Sequence, residues 1–253
     1  MDSDNNALTV VVKNAGGPGQ GSDASNGTAA TTIDADTTAD GETYSSTGDD
    51  ENALWVDGAT ATLSNITVNK TAGSSSSADN GDFYGMNAGL LAQNGATVTI
   101  KNATVNTGVK NGNGVFSYGT GTTVNISDST IRTTGDCSGG IQTTGSGTVD
   151  VNGGSYVTNG TGSPAVYSTA DVSVSDATLT ANNSEAVVVE GKNSVSLADC
   201  NVTGNMTGTY QDDSENIHNI MIYQSMSGDA EVGEANFTAE GSVITAKSGD
   251  MFY

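Results

Sequence analysis

The side chains best suited to chemistry in this sequence are carboxylates, and their spacing sorts them into two kinds. Asp128, Asp176 and Asp199 recur at one position of a repeat, while Asp49-Asp50 and Asp212-Asp213 are tight pairs in polar stretches. Paired carboxylates can perform general acid–base hydrolysis, and clusters of them can take calcium. Asn65 and Asn102 share the repeat position of the three aspartates. An amide neither gives nor takes a proton, so that position reads as a turn corner, where Asn and Asp tolerate a left-handed backbone. The tight pairs read as solvated loop residues. Calcium is kept open only at Gly48–Glu51 and Gln211–Glu215, although neither stretch follows an EF-hand pattern.

The remaining reactive groups are few. Arg132 ends a strand pattern with no recurring acidic cluster around it, so it reads as a solvated strand end. The sole histidine, His218, stands near Asp212, Asp213 and Glu215. Without a second histidine at helical or hairpin spacing it makes no metal centre. Cys137 and Cys200 are too few for a disulfide framework or a four-ligand zinc site. Cys200 falls at a small inward position and reads as core; whether the two thiols stay free is left open. A nucleophile elbow and a phosphate loop are both missing. No catalytic residue, metal ligand or cofactor is therefore assigned, and the expectation is a non-enzyme.

Charge narrows the partners. With 29 acidic against 7 basic side chains, the net charge is −22. A nucleic-acid backbone and an anionic membrane surface would both be repelled. No apolar run approaches the ~18 residues of a membrane span, and no signal peptide is visible. Met1-Asp2-Ser3-Asp4 reads as a start placed on a trimmed chain, and Gly249–Tyr253 as an end cut from something longer, part of a larger multidomain protein.

What must position these groups is a repeat. Ala61–Val68, Val98–Val105, Val124–Ile131, Val172–Leu179 and Val195–Val202 each read apolar, any, apolar, any, Asx, small, any, apolar. Val149–Tyr156, with Gly153 at the corner, and Ala230–Phe237, with Glu234 there, are looser copies. The basic unit is about 23 residues long, and longer steps place insertions near residues 71–88 and 204–218. Period-2 alternation around each corner gives two short strands, and β-branched residues with glycine throughout argue against helix. A further strand precedes each motif: Ala53–Val56, Gly89–Ala92, Gly114–Ser117, Gly140–Thr143, Ala165–Ser168, Ala186–Val189 and Asn219–Ile222. Each unit thus supplies three strands. Such units cannot bury their apolar faces alone, so residues 51–253 form one stack of about seven or more coils, an all-β parallel solenoid. Residues 1–50 are expected to hold a strand at Ala7–Val12, as a first coil or cap, followed by an irregular Gly16–Asp50.

The leading strands carry one further signal. If Leu54 and Val56 face in, Trp55 faces out, and the same parity puts Leu91, Phe116, Gln142, Tyr167, Val188 and Met221 in one outward row. An exposed apolar and aromatic row is a binding surface, unless the insertions or Gly16–Asp50 pack over it. A competing Thr-x-Thr reading begins at Thr60-Ala61-Thr62 and Thr97-Val98-Thr99. Asn125, Asp150, Ser173, Ser196 and Glu231 then break it, which argues against an ice-binding face.

The units resemble the repeats of pectin-lyase-like right-handed parallel β-helix proteins, as in Gly114–Ser117 followed by Val124–Ile131. More narrowly, Ala53–Val68, Asp82–Ala88, Gly121–Ile131, Ser163–Leu179 and Asn216–Ser227 are similar to large secreted adhesin-like β-helix proteins of anaerobic gut bacteria. The resemblance implies a right-handed coil. It also implies a secreted or cell-surface bacterial module binding a glycan or a surface protein along one face. A polysaccharide lyase or glycoside hydrolase is the alternative it leaves open, and a plain spacer is compatible with the same residues.

Overall fold

The computed structural model describes residues 7–13, 24–208, 217–224 and 231–253. The calcium stretch at Gln211–Glu215, with Asp212, Asp213 and Glu215, lies outside the described residues, as do residues 14–23.

The chain winds into three long parallel sheets, one strand of each per coil. The first sheet holds the leading strands, such as Leu54–Asp57, Leu90–Gln93 and Val115–Tyr118. The second and third hold the two halves of the Asx-cornered motif, for example Thr60–Ser64 and Thr67–Lys70. Like residues stack on like. In the second sheet Leu63, Ile100, Ile126, Val151, Val174 and Leu197 lie in one inward column. With coils ~4.8 Å apart, the column is a continuous apolar core that no single coil could close.

Each corner works as its residue type requires. Asn65, Asn102, Asp128, Asp176 and Asp199 all have φ between 48° and 54°. Gly153 takes the same place at φ 76°. Outward side chains then tie coil to coil: Asn65 Nδ2 donates to Asp40 Oδ1 at 2.6 Å, and Ser194 Oγ to Asp171 Oδ1 at 2.7 Å. The corner aspartates are fully accounted for as turn formers.

Three expectations need correction, all at the ends of the stack. Gly16–Asp50 is not uniformly irregular. Thr32–Ile33, Thr37–Asp40 and Thr43–Ser46 form a complete coil in register with the next. Its inward second-sheet residue is only Ala39 and its corner is Gly41 at φ 74°, so it lacks the apolar and Asx signals of the others. At the other end the last motif is not Ala230–Phe237. Phe237 pairs with Val195 and Ala239 with Leu197, which moves the corner from Glu234 to Gly241 at φ 59°. Val232 is accordingly 41% exposed rather than inward. Finally, the strand foreseen at Ala7–Val12 forms as Ala7–Lys13 but joins no first coil. It pairs antiparallel with Glu234–Glu240, on the eighth coil. Asp250–Phe252 begins a ninth.

The insertion at residues 71–88 carries the one helix among the described residues, Ala78–Tyr84. Ser77 caps it by accepting from Asn80 N, and Gly85 ends it at φ 73°. Seven residues cannot hold a helix on their own, so this one depends on the sheet beneath it.

Candidate functional site

Parity places the foreseen row where expected. Leu91 is paired with Trp55 on one side and Phe116 on the other, and the row continues through Gln142, Tyr167, Val188 and Met221. The row is continuous but it is not an exposed stripe. Leu91 and Phe116 are 0% exposed, Gln142 and Val188 4%, Met221 8%; Trp55 and Tyr167 are half-buried. The cover is the Ala78–Tyr84 helix. Its backbone is bound by side chains that rise from the first sheet and its approach turn: Gln142 Nε2 donates to Asp82 O, Thr144 Oγ1 to Phe83 O and Asn113 Nδ2 to Gly81 O. Tyr84 packs edge-on against Tyr118 with centroids 5.7 Å apart. Ala88, Leu91 and Phe116 thereby form a second small core, with Trp55 and Tyr118 against it.

Beyond the helix the row opens into a cleft of ≈ 350 Å³. Gln142, Tyr167, Val188 and Met221 form its floor. Asp79, Asp82 and Phe83 of the helix form one wall, and Glu185, Tyr223 and Met206 contribute the other side. Among the described residues no lysine or arginine lines it. Four of the seven row residues thus share one cavity, and Leu91 and Phe116, with Trp55 packed against them, lie against the end of the helix that walls it.

The acidic groups here are arranged differently from the corner aspartates. Burial pushes the Asp82 carboxyl up to about 7, against the opposing hydrogen bond from Asn111 Nδ2 at 2.8 Å. Burial also pushes Glu185 up, but hydrogen bonds from His218 and Ser184 outweigh it and hold that carboxyl below the usual range. His218 Nε2 lies 3.1 Å from Glu185 Oε1, and its ring stacks on Tyr253 at 4.9 Å. Glu190 is 1% exposed and accepts from the hydroxyls of both Tyr167 and Tyr223, the latter at 3.0 Å. The cleft lining therefore includes one carboxyl near its midpoint at neutral pH and another held below the usual carboxylate range.

Sequence reasoning missed Asp82, Glu185, Glu190 and Tyr223. The signal was available for Glu190 and Tyr223. They stand in register two residues beyond Val188 and Met221, so they face outward too. Asp82 could not be found that way, because it comes from the insertion.

Other candidates resolve into structure. The carboxylates of Gly48–Glu51 already have partners: Asp49 Oδ1 accepts from Ser74 N at 2.7 Å, Asp50 Oδ1 from Ser76 N at 2.6 Å, and Glu51 Oε2 from Ser46 Oγ at 2.6 Å. The cation there is Lys70, 0% exposed, which donates to Gly48 O at 2.5 Å. Burial lowers its pKa, and Glu51, Asp49 and Asp50 partly offset this. Among the described residues no group of three or more His, Cys, Asp or Glu is placed to hold a metal. Arg132 is exposed on the outer face of the third sheet. Both thiols are buried, and Cys200 donates to the carbonyls of Ala198 and Val174. In the second sheet, Asn125, Asp150, Ser173 and Ser196 do break the threonine column, but the eighth coil supplies Thr238 there, not Glu231.

No curated protein and no solved structure matches the chain. A model of the right-handed β-helix region matches residues 52–226, which begins with the second coil and covers most of the stack. With three parallel sheets in uninterrupted register over that span, the chain belongs to the right-handed β-helix family.

Proposed function

We propose that this chain is a non-enzymatic, adhesin-like module of a secreted or cell-surface protein, and that it takes a short stretch of a glycan into the cleft between the Ala78–Tyr84 helix and the first sheet. The observation that carries the reading is the floor of that cleft. Tyr167 lies between Gln142 and Val188 on a rigid sheet, with Phe83 and Tyr223 at the sides. Aromatic faces for sugar rings, with amide, hydroxyl and carboxylate groups for sugar hydroxyls, are a mixed apolar and polar lining suited to carbohydrate. Among the described residues the cleft presents Asp79, Asp82 and Glu185 and no lysine or arginine. A uronic acid would be repelled there, so neutral or amine-bearing sugars fit best. This differs from a partner stretched along the whole row, because the row is covered at Leu91 and Phe116.

A glycan array followed by calorimetry on its hits, with and without calcium, tests the proposal. Neutral or amino-sugar oligomers should bind, and Tyr167→Ser should abolish binding while leaving the far-UV spectrum intact. Binding that survives Tyr167→Ser unchanged would place the ligand elsewhere.

A hydrolase is the second reading, and one observation favours it. Asp82 near its midpoint and a Glu185 held below the usual range both line the cleft, and acid–base cleavage of a glycosidic bond uses two carboxyls in such different states. Release of reducing ends from a bound oligomer, lost in Asp82→Asn, would decide for it.

A further inference from the structure

The described strands pair in parallel with one exception. Ala7–Lys13 runs antiparallel to Glu234–Glu240 over seven residue pairs, from Ala7 opposite Glu240 to Lys13 opposite Glu234. Its pairing is confined to that one strand, and Val10 reaches the core. The acceptor does not depend on it, because Glu234–Glu240 is held from its other side by Ser194–Ala198 in parallel register.

The placement of this strand is unusual for the chain that follows it. The next described strand, Thr28–Ala29, pairs with Glu51–Asn52 beside the second coil. Along the second sheet, seven strand steps separate Ala7–Lys13 from Thr60–Ser64, which is roughly 34 Å at ~4.8 Å per step. The arm and the coils that follow it in sequence therefore sit at opposite ends of the solenoid.

We infer that Ala7–Lys13 is an exchangeable arm, which occupies the Glu234–Glu240 edge of its own chain or the same edge of a second copy, so that two chains can join by trading arms. Exchange preserves every arm–acceptor contact, and reciprocal exchange closes into a two-fold dimer, so only the connection differs between the two states. Charge selects the arm over the other way two copies could meet. Antiparallel pairing of two bare Glu234–Glu240 edges centred on Phe237 would set Glu234 opposite Glu240. Like charges directly opposite destabilise a pair. The arm instead brings Lys13 opposite Glu234. An open strand edge is a template for pairing, and this one is matched to the chain's own basic-ended strand.

The test uses two full-length chains, one carrying Thr9→Cys and the other Thr238→Cys, since these positions are opposite in the register. The native Cys137 and Cys200 are buried and do not compete. After equimolar mixing and mild oxidation, peptide mass spectrometry should find position 9 of one chain joined to position 238 of the other, in a species of doubled mass. Its yield should rise about tenfold between roughly 0.1 and 1 mM, the range in which a partner rivals a short tether. The double variant at high dilution should close within one chain. If the mixture gives no such link at about 1 mM while the double variant closes, the arm is a fixed cap and the inference fails. If neither links, the pairing itself is absent and the inference fails as well. Glu234→Lys should lower the interchain yield several-fold, and an unchanged yield would remove charge from the account.

Discussion

The outward row of the first sheet is one row by register and two by environment. Leu91 and Phe116 form a floor under a helix, with half-buried Trp55 packed against them. From Gln142 to Met221 the row is the floor of a cleft. Both halves arise from the same alternation of residues, so parity alone does not make a surface. The first half is apolar and lies under the insertion, which covers it because Leu91 and Phe116 would otherwise stand in water. The second half carries Gln142 and Tyr167, whose polar ends hold on to Asp82 O and Glu190, and of these two only Tyr167 keeps part of its side chain exposed.

The comparison breaks most sharply at Phe116. It is fully buried in the small second core, so Phe116→Ala should cost about 3–5 kcal/mol, as for other buried aromatic truncations. Tyr167→Ala, half-buried at the cleft, should cost about 2 kcal/mol. Urea unfolding monitored by far-UV dichroism measures both. Equal losses would mean that the two halves are equally covered.

A smaller effect should come from Gly85, which ends the covering helix at φ 73°. A Cβ there would lie 2.6 Å from Leu91 Cδ1 and 3.0 Å from Phe116 Cγ. An L-residue in that left-handed conformation costs about 1–2 kcal/mol, and the leucine tip must also shift. Gly85→Ala should lower stability by about 2 kcal/mol and speed hydrogen exchange across Ala78–Tyr84, with the strands of the third sheet unaffected.

How far such features could be read in advance depended on whether a residue's role was local. The corner at Asp128 was legible because Asx in a left-handed turn is a property of one residue and its neighbours. The outward row was legible because period 2 is a property of each strand. The helical cover was not, although Ser77, Asp79 and Gly85 are ordinary start and stop signals, because seven residues are too few to display a 3.6 period. The first coil escaped because Ala39 and Gly41 replace the apolar and Asx residues elsewhere. The last was misplaced by two residues of imitation, Ala230 and Val232, seven positions ahead of the true pair Phe237 and Ala239. The cleft was legible only by halves: Tyr167 and Met221 from parity, Asp82 not at all, since it arrives from a different part of the chain.

Asp82 sharpens the comparison through pH. Its carboxyl is raised to about 7 in the fold, against about 3.9 in an unfolded chain. The folded state therefore holds a proton that the unfolded state has lost between those values. The associated stability is complete below about pH 4 and is lost as pH rises through 7. Wild type should lose on the order of 1 kcal/mol across that window relative to Asp82→Asn, the solvent at the cleft rim screening the rest. A slope of the same size in Asp82→Asn would assign it to another group.

The smallest change asks what Tyr167 contributes to the open half. Its hydroxyl donates to Glu190, which is buried and receives a second hydroxyl from Tyr223. Tyr167→Phe removes one donor and leaves the other. The carboxylate is not stranded, so the loss should be about 0.5–1.5 kcal/mol rather than the full penalty of a buried unpaired charge. The ring stays on the cleft floor. Glycan binding in the cleft should then fall only a few-fold in Tyr167→Phe, whereas Tyr167→Ser, which removes the ring, abolishes it. Calorimetry on the two variants separates the ring from its hydroxyl. If Tyr167→Phe loses binding as completely as Tyr167→Ser, the hydroxyl and Glu190 hold the ligand directly, and the open half of the row acts through its polar edge rather than its apolar floor.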